Sequence, residues 1–171
     1  KYIDSPFFFH CCDCILENTF KIIDNLDENI IYSYSSDTIN SNNYATINIQ
    51  NNYVSSINDK KANNYDSLYI GLSFINNYEL FFKILEQILI SNEFGTSLSD
   101  IHVMRQMINN NSMFKNIKVS NWYDTGNINL LSKYENIFKC NYEVLYKYNE
   151  SICFVNNRVI KFFIDKKRVS D

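Results

Sequence analysis

Several features are scarce in this sequence, and each scarcity narrows the class of protein. No run of about 18 apolar residues occurs, so no helix is predicted to span a membrane. Lysine and arginine number 16 against 19 aspartates and glutamates, a formal net charge of -3. Nucleic-acid binding needs clustered basic residues, so nucleic acid is excluded as the main partner. Glycine occurs three times and proline once, so we assign predicted turns to asparagine instead.

The five cysteines lack the spacing of secreted disulfide proteins. They stand at positions 11, 12, 14, 140 and 153, and their odd number fits reduced thiols, so we predict a cytoplasmic protein. No signal peptide is visible. The sequence begins at Lys1 and reaches an apolar run by Pro6, which we interpret as a missing preceding segment.

What is present has the composition of a folded domain. Hydrophobic residues make up 46% and aromatic residues 16% of 171, enough for one domain with its own core. Apolar and alternating runs predict strands at 5–16, 44–49, 53–57, 67–75 and 117–123, with asparagines forming a hairpin turn between the second and third. Helical patterns cover 19–26, 79–90, 99–108 and 127–138. This alternation predicts an α/β domain.

The pattern changes near residue 141. Strand-like runs at 142–146, 151–155 and 158–164 are separated by short polar gaps, which predicts a short antiparallel β tail. We therefore divide the chain into a domain at 1–140 and, at 141–171, a linker with the first hairpin of a following domain.

Asp13 follows a long apolar run. It belongs to the motif His10-Cys11-Cys12-Asp13-Cys14, which lies near the end of the predicted strand at 5–16. A carboxylate at the end of a buried strand is costly unless it is paired or metal-bound, and ligands of open α/β sheets bind beyond such strand ends. A helix-capping or loop aspartate is an equal alternative. A zinc site is a further alternative, although adjacent strand residues point to opposite faces and at most two could share an ion.

Asp124 closes a second apolar strand, in the motif Trp122-Tyr123-Asp124-Thr125-Gly126-Asn127. Gly126 permits a tight turn, and Asn127 opens a predicted helix whose free N–H groups can receive phosphate. An ordinary strand-to-helix turn with a capping aspartate remains open. Two aspartates at two strand ends supply the hard oxygens that magnesium takes alongside substrate phosphates.

Taken in order, these segments resemble the sugar-phosphate nucleotidyltransferases over residues 5 to 138. Cys12 to Ile15 resembles the family's Gly-Asp-Asn-like turn, and Ser56 to Lys60 resembles its Glu-Lys pair. Tyr69 to Leu72 resembles the strand that carries a glycine, and Ser99-Asp100 resembles the pair that opens a later helix. Trp122 to Gly126 resembles the closing Trp-x-Asp-x-Gly motif. The resemblance implies a three-layer Rossmann-like mixed sheet of GT-A type, incomplete at its N-terminus.

The resemblance also implies an activity: transfer of a nucleotidyl group from a nucleoside triphosphate to a sugar phosphate or phosphocholine-like acceptor, with release of pyrophosphate, for surface polysaccharide biosynthesis. Asp13 and Asp124 would hold Mg²⁺, and Lys60 would bind the acceptor phosphate. The implied substrate-binding residues are Gly71, Tyr69, Gly126, Asn127 and Asp59. Taken without the resemblance, Lys60 also fits a solvated lysine and Gly71 a tolerated strand glycine.

Two departures from the family pattern keep other functions open. The Gly-rich nucleotide loop should lie upstream and is absent from these residues, and Cys12 and Cys14 replace the usual glycine and asparagine. A metal-dependent GT-A-type glycosyltransferase and a non-catalytic binding module on the same scaffold are therefore alternatives. In the tail, the runs around Ser151 and Arg158 resemble the first hairpin of a kinase-like lobe, with Lys161 in the place of its ATP-binding lysine; an exposed strand lysine is the alternative.

Overall fold

The computed structural model describes residues 3–16, 27–35, 39 and 41–126, together with the backbone of three strands between 142 and 163. It divides the chain into two compact units, Lys1–Asp124 and Thr125–Asp171. The strands of the first unit are β1 (Phe7–His10), β2 (Cys14–Leu16), β3 (Asn29–Tyr34), β4 (Thr46–Gln50), β5 (Tyr53–Asn58), β6 (Ser67–Ile75), β7 (Phe114–Lys118) and β8 (Trp122–Asp124). Its helices are α1 (Tyr78–Ser91) and α2 (Asp100–Asn109), with short 3-10 turns at Ser41–Asn43 and Gly95–Ser97.

Six of these strands form one mixed sheet in the order β1-β6-β3-β7-β5-β4. Strands β3 and β7 run parallel, whereas the other neighbours run antiparallel. The start of β4 also pairs with β6, so the sheet curls and closes into a small barrel-like shape. A mixed α/β fold was predicted and is confirmed at that level.

The two helices pack on the sheet through narrow apolar stripes. In α1 the buried residues Phe81, Ile84 and Ile88 recur at helical spacing, and in α2 Val103, Met104 and Met107 do the same. The Asn77 side chain accepts the Leu80 N–H at 3.1 Å and caps α1. Both helices agree with the predicted ranges to within one residue, and no described helix has the length and apolar character needed to cross a membrane.

Ser99 caps α2. Its side chain accepts from the backbone of the third helical residue, His102, and the His102 ring Nδ1 accepts the Ser99 N–H at 3.0 Å. His102 also lies against Phe94, with ring centroids 4.1 Å apart. These contacts give His102 a role in helix capping and packing.

Apolar side chains cover both faces of the sheet. One buried cluster joins the helices to the sheet, and the other contains β2, β8 and the opposite face of β3 and β6. Strand β6 lies between the two clusters, and every residue from Ser67 to Ile75 is buried. This explains why β6 reads as a continuous apolar run, and its predicted bounds are confirmed.

The asparagine turn between β4 and β5 is also confirmed. Asn51 and Asn52 both adopt positive φ, at 51° and 67°, as a two-residue hairpin turn requires. Asparagine tolerates this conformation better than most residues because its short side chain can bond locally.

Two predicted strands are wrong in their extent. The segment 5–16 is not one strand buried on both faces, because a turn at 11–13 separates β1 from β2 and half of β1 is exposed. The segment 117–123 is likewise divided between β7 and β8. In the first segment Cys11 and Cys12 continue the apolar run into the turn, whereas in the second the polar residues Ser120 and Asn121 mark the break.

Three predictions concern the remaining parts of the chain. The predicted helices at 19–26 and 127–138 lie outside the described residues. The antiparallel tail is confirmed as β9 (Tyr142–Lys147), β10 (Glu150–Val155) and β11 (Arg158–Phe163), with β10 in the middle. It belongs to the second unit.

Candidate metal and acceptor site

Asp13 and Asp124 are brought together by the pairing of β2 with β8. The register sets Cys14 opposite Asp124 and Leu16 opposite Trp122, so Asp13, in the turn just before β2, lies beside the end of β8. Asp13 is exposed, whereas Asp124 is only 8% exposed. The two candidate metal ligands therefore come from distant parts of the sequence, one from the turn before β2 and the other from the end of its partner strand β8.

The Asp124 carboxylate is held by a tyrosine that sequence reasoning missed. The Tyr44 hydroxyl donates a hydrogen bond to Asp124 Oδ2. The Tyr44 ring meets the buried Trp122 ring edge-on at 5.1 Å, and Tyr34 contacts the same indole at 5.7 Å. These aromatic contacts fix the ring that positions the carboxylate. No local pattern marks Tyr44, because its partner lies in a distant strand.

The neighbouring thiols are kept protonated by their surroundings. Burial raises the pKa of Cys11 to about 11, and the nearby Asp100 and Asp13 add to the effect. Burial raises the pKa of Cys14 to about 12. Within the described ranges, no group of three or more His, Cys, Asp or Glu side chains could hold a metal ion.

Two carboxylates are nevertheless a set that suits magnesium. Mg²⁺ usually keeps several waters and takes one or two protein carboxylates, while substrate phosphates supply further oxygens. Asp124, at the end of β8, and Asp13, in the turn before β2, both carry hard oxygen donors. These two side chains are therefore of the kind that magnesium takes as protein ligands.

Tyr69, a predicted substrate-binding residue, is engaged with Asp100. It lies in β6, is 6% exposed, and its hydroxyl donates to Asp100 Oδ2 at 2.5 Å. Burial, then the Asp100 charge, raises the pKa of Tyr69 well above its ordinary value, and burial also raises the pKa of Asp100. This buried pair joins the centre of the sheet to the first residue of α2.

Gly71 is required by a close approach of the protein to itself. Its φ is +77°, and a Cβ placed there would lie 2.7 Å from Cys11 Sγ. The Cys11 N–H donates to the Gly71 carbonyl at 2.8 Å. Only glycine fits this geometry, because the thiol occupies the space of a side chain.

Asp59 and Lys60 lie in an exposed turn after β5. The Asp59 carboxylate forms an ion pair with Arg105 of α2, with Nη2 and Oδ1 2.7 Å apart. Arg105 Nε also donates to the Ile57 carbonyl at 2.9 Å. The sequence did not identify Arg105 as a candidate, because the helical pattern shows only that it lies outside the apolar stripe of α2.

The sheet register shows where this turn leaves the fold. Thr46 begins β4 and pairs with both Asn58, the last residue of β5, and Leu68 of β6. Tyr44 lies two residues before Thr46, and Lys60 lies two residues after Asn58. Both segments therefore extend from the same end of the sheet, so the Lys60 turn and the carboxylate that Tyr44 contacts share that end.

The other predicted site residues are Gly126 and Asn127. Gly126 is exposed and belongs to the second unit. Asn127 lies outside the described residues.

Comparison with proteins of known structure identifies chains that share this fold. No protein-family model matches the sequence, and no curated protein matches it. The solved structures that are similar include an inositol-1-phosphate CTP transferase from T. maritima (16% identity, TM-score 0.55), a nucleoside-diphosphate-sugar pyrophosphorylase from Vibrio cholerae RC9 (12%, 0.63) and a CTP:phosphocholine cytidylyltransferase from Streptococcus pneumoniae (15%, 0.61).

The similarity covers 78%, 78% and 76% of this chain, but 58%, 58% and 56% of those structures. The chain thus spans a little over half the length of the structures that it resembles. At these identities, what is shared is the mixed α/β fold.

Proposed function

We propose that this chain is part of an enzyme that transfers a nucleotidyl group from a nucleoside triphosphate to a small phosphorylated acceptor and releases pyrophosphate. The observation that supports the proposal is the pairing of β2 with β8, in which Asp124 lies opposite Cys14, the residue that follows Asp13. One or two carboxylates are what a magnesium–nucleotide complex takes from a protein.

Each candidate residue has a distinct part in this proposal. Asp13 and Asp124 would hold Mg²⁺, which supplies charge neutralisation at the phosphates. Lys60, in the exposed turn at the same end of the sheet, would bind the acceptor phosphate as a point charge. Tyr44 keeps the Asp124 carboxylate in place. Gly71, Tyr69, Asp59, Gly126 and Asn127 stay candidates for substrate binding.

The similar structures support the type of reaction. They are named as CTP transferases for inositol 1-phosphate and phosphocholine and as a nucleoside-diphosphate-sugar pyrophosphorylase. All three names describe nucleotidyl chemistry on small acceptors. We extend the proposal to the three-layer GT-A architecture, to a cytoplasmic setting and to surface polysaccharide biosynthesis, as the sequence resemblance implies.

The tail carries a separate prediction. Strand β11 places Lys161 opposite Ile152 of β10 in an antiparallel hairpin. A hairpin with a lysine in its second strand is consistent with the opening of a kinase-like lobe. The assignment of this hairpin to a following phosphotransferase domain stays a prediction.

The experiment is a pyrophosphate-release assay on the full-length gene product, with CTP and either phosphocholine or inositol 1-phosphate. We expect Mg²⁺-dependent release that Asp13→Asn or Asp124→Asn lowers by roughly 100-fold or more, because charge stabilisation in phosphoryl chemistry is lost. Asp4→Asn, at an exposed aspartate, is the matched control. Transfer from a finished nucleotide sugar without pyrophosphate would instead establish the glycosyltransferase alternative.

A further inference from the structure

Arg105 connects α2 to the turn that carries Lys60. Its guanidinium donates in two directions, from Nε to the Ile57 carbonyl at 2.9 Å and from Nη2 to Asp59 Oδ1 at 2.7 Å. Ile57 belongs to β5, whereas Asp59 is the first residue beyond that strand. One side chain thus bonds both the end of the strand and the start of the turn.

The base of this side chain is firmly held. Val103, Met104 and Met107 on either side of Arg105 are each at most 1% exposed. The Ser99 cap fixes the start of the same helix. A side chain on such a fixed helix can hold a neighbouring turn at a defined distance from the core.

The turn itself depends on external support. Asp59, Lys60 and Lys61 are all exposed, and Lys61 adopts a φ of +72°, which is unfavourable for a lysine. A planar guanidinium presents its donors in a fixed fork, so it restricts the position of Asp59 more than a flexible ammonium would.

Charge gives the contact a second effect. The Asp59 carboxylate is adjacent in sequence to Lys60, where it could attract the ammonium and repel an anionic acceptor. Arg105 is 28% exposed and Asp59 72%, so solvent screens the pair without removing it. The ion pair directs the carboxylate toward α2 and offsets its charge.

We propose that Arg105 is a positioning residue that holds the Asp59–Lys61 turn so that Lys60 receives the acceptor phosphate. This role rests on the proposed function, because it assumes that Lys60 binds the acceptor. Arg105 would act on the acceptor through Ile57 and Asp59, the groups to which it donates.

The test measures kcat and KM for phosphocholine and inositol 1-phosphate in the full-length gene product. The variants are Arg105→Met, which removes the charge and both bonds, and Arg105→Lys, which keeps the charge but loses the fork. Asp59→Asn breaks the ion pair from its other side. Lys83→Met, at an exposed lysine of α1, removes one positive charge elsewhere and is the control.

We expect Arg105→Met to raise the acceptor KM by roughly fivefold to twentyfold with kcat changed less than twofold, and Arg105→Lys to give an intermediate KM. The double variant Arg105→Met/Asp59→Asn should have an acceptor KM no higher than that of Arg105→Met, because Asp59→Asn breaks a contact that Arg105→Met has already removed. The thermal midpoint should change little, since exposed ion pairs contribute little stability.

Two failures can be told apart. An active parent enzyme whose Arg105→Met variant keeps the KM of Lys83→Met would overturn the positioning role alone. A parent that releases no pyrophosphate with any acceptor would overturn the proposed function, and the role of Arg105 with it.

Discussion

Asp13 and Asp124 differ in their surroundings, although both are candidates for one ion. Asp124 is nearly buried, ends a strand and accepts a hydrogen bond from Tyr44, so its carboxylate is held before any ion arrives. Asp13 lies exposed in a turn. If both bind the proposed ion, Asp124 would reach it from a buried position and Asp13 from an exposed one.

Replacing Tyr44 with phenylalanine tests whether the fixed carboxylate matters. The ring contact with Trp122 is kept while the hydroxyl is lost, so Asp124 loses its orienting partner. Groups that orient a metal ligand typically contribute tenfold or more to affinity, so we expect the Mg²⁺ concentration for half-maximal pyrophosphate release to rise roughly tenfold. Tyr53→Phe, which removes a hydroxyl from the exposed Glu28, should leave that concentration unchanged.

Asp100 gives a prediction about pH and stability. Burial raises the pKa of Asp100 above that of an unfolded aspartate, which is about 4. Because the folded state then binds the proton more tightly, the free energy of unfolding should fall as pH rises from about 4 through the raised pKa. Asp100→Asn keeps an acceptor for the Tyr69 hydroxyl and should remove that fall.

Urea denaturation of both proteins from pH 4 to pH 7 measures the effect. Equal slopes for the two proteins over this range would show that Asp100 ionises in the folded state as readily as in the unfolded chain.

Side-chain pairing is the part of the site that sequence could not predict. The chemistry of Asp13 and Asp124 was visible because carboxylates near apolar strand ends are unusual. Tyr44 and Arg105 gave no such signal, because each lies in an ordinary amphipathic pattern and finds its partner only after the sheet closes.

At the scale of elements, local chemistry determined what could be predicted. The β4–β5 hairpin and the two helices were predictable because asparagine turns, caps and apolar stripes are local signals. The turn at 11–13 was not, because cysteines continue the apolar run through it. That turn contains Asp13, one of the proposed magnesium ligands, and leads into β2.

A substitution at Gly71 tests how closely the turn at 11–13 packs against β6, because Cys11 of that turn lies against Gly71. In Gly71→Ala the new Cβ would meet Cys11 Sγ at 2.7 Å and Cys11 Cβ at 2.8 Å, at a φ of +77°. Strain and overpacking together should lower the free energy of unfolding by about 3 kcal/mol. Cys11→Ala in the same protein should restore only part of this loss, because its Cβ stays in place.

Gly95→Ala is the matched control for urea denaturation. Gly95 also has a positive φ, of 50°, but no atom lies within 4 Å of its added Cβ. It should lose only about 1 kcal/mol, from backbone strain alone. Equal losses at Gly71 and Gly95 would show that Cys11 does not crowd Gly71.

For the molecule as a whole, closure of the sheet organises the candidate site. The pairing of β4 with β6 brings the β4–β5 hairpin against the centre of the sheet, so that Tyr44 and the Lys60 turn leave it at one end. The alternation of strands and helices predicted an α/β fold, but not this closure, because which strands pair depends on contacts between distant segments.

The central claim is that Asp13 and Asp124 form a single magnesium site. The most direct measurement is a double-mutant cycle on Mg²⁺-dependent pyrophosphate release by the full-length gene product, with Asp13→Asn, Asp124→Asn and the two combined. If both carboxylates hold one ion, the double variant should be no more than about threefold worse than the poorer single variant, because the site is already lost. Losses that multiply, or a single variant that keeps full activity, would contradict a shared site.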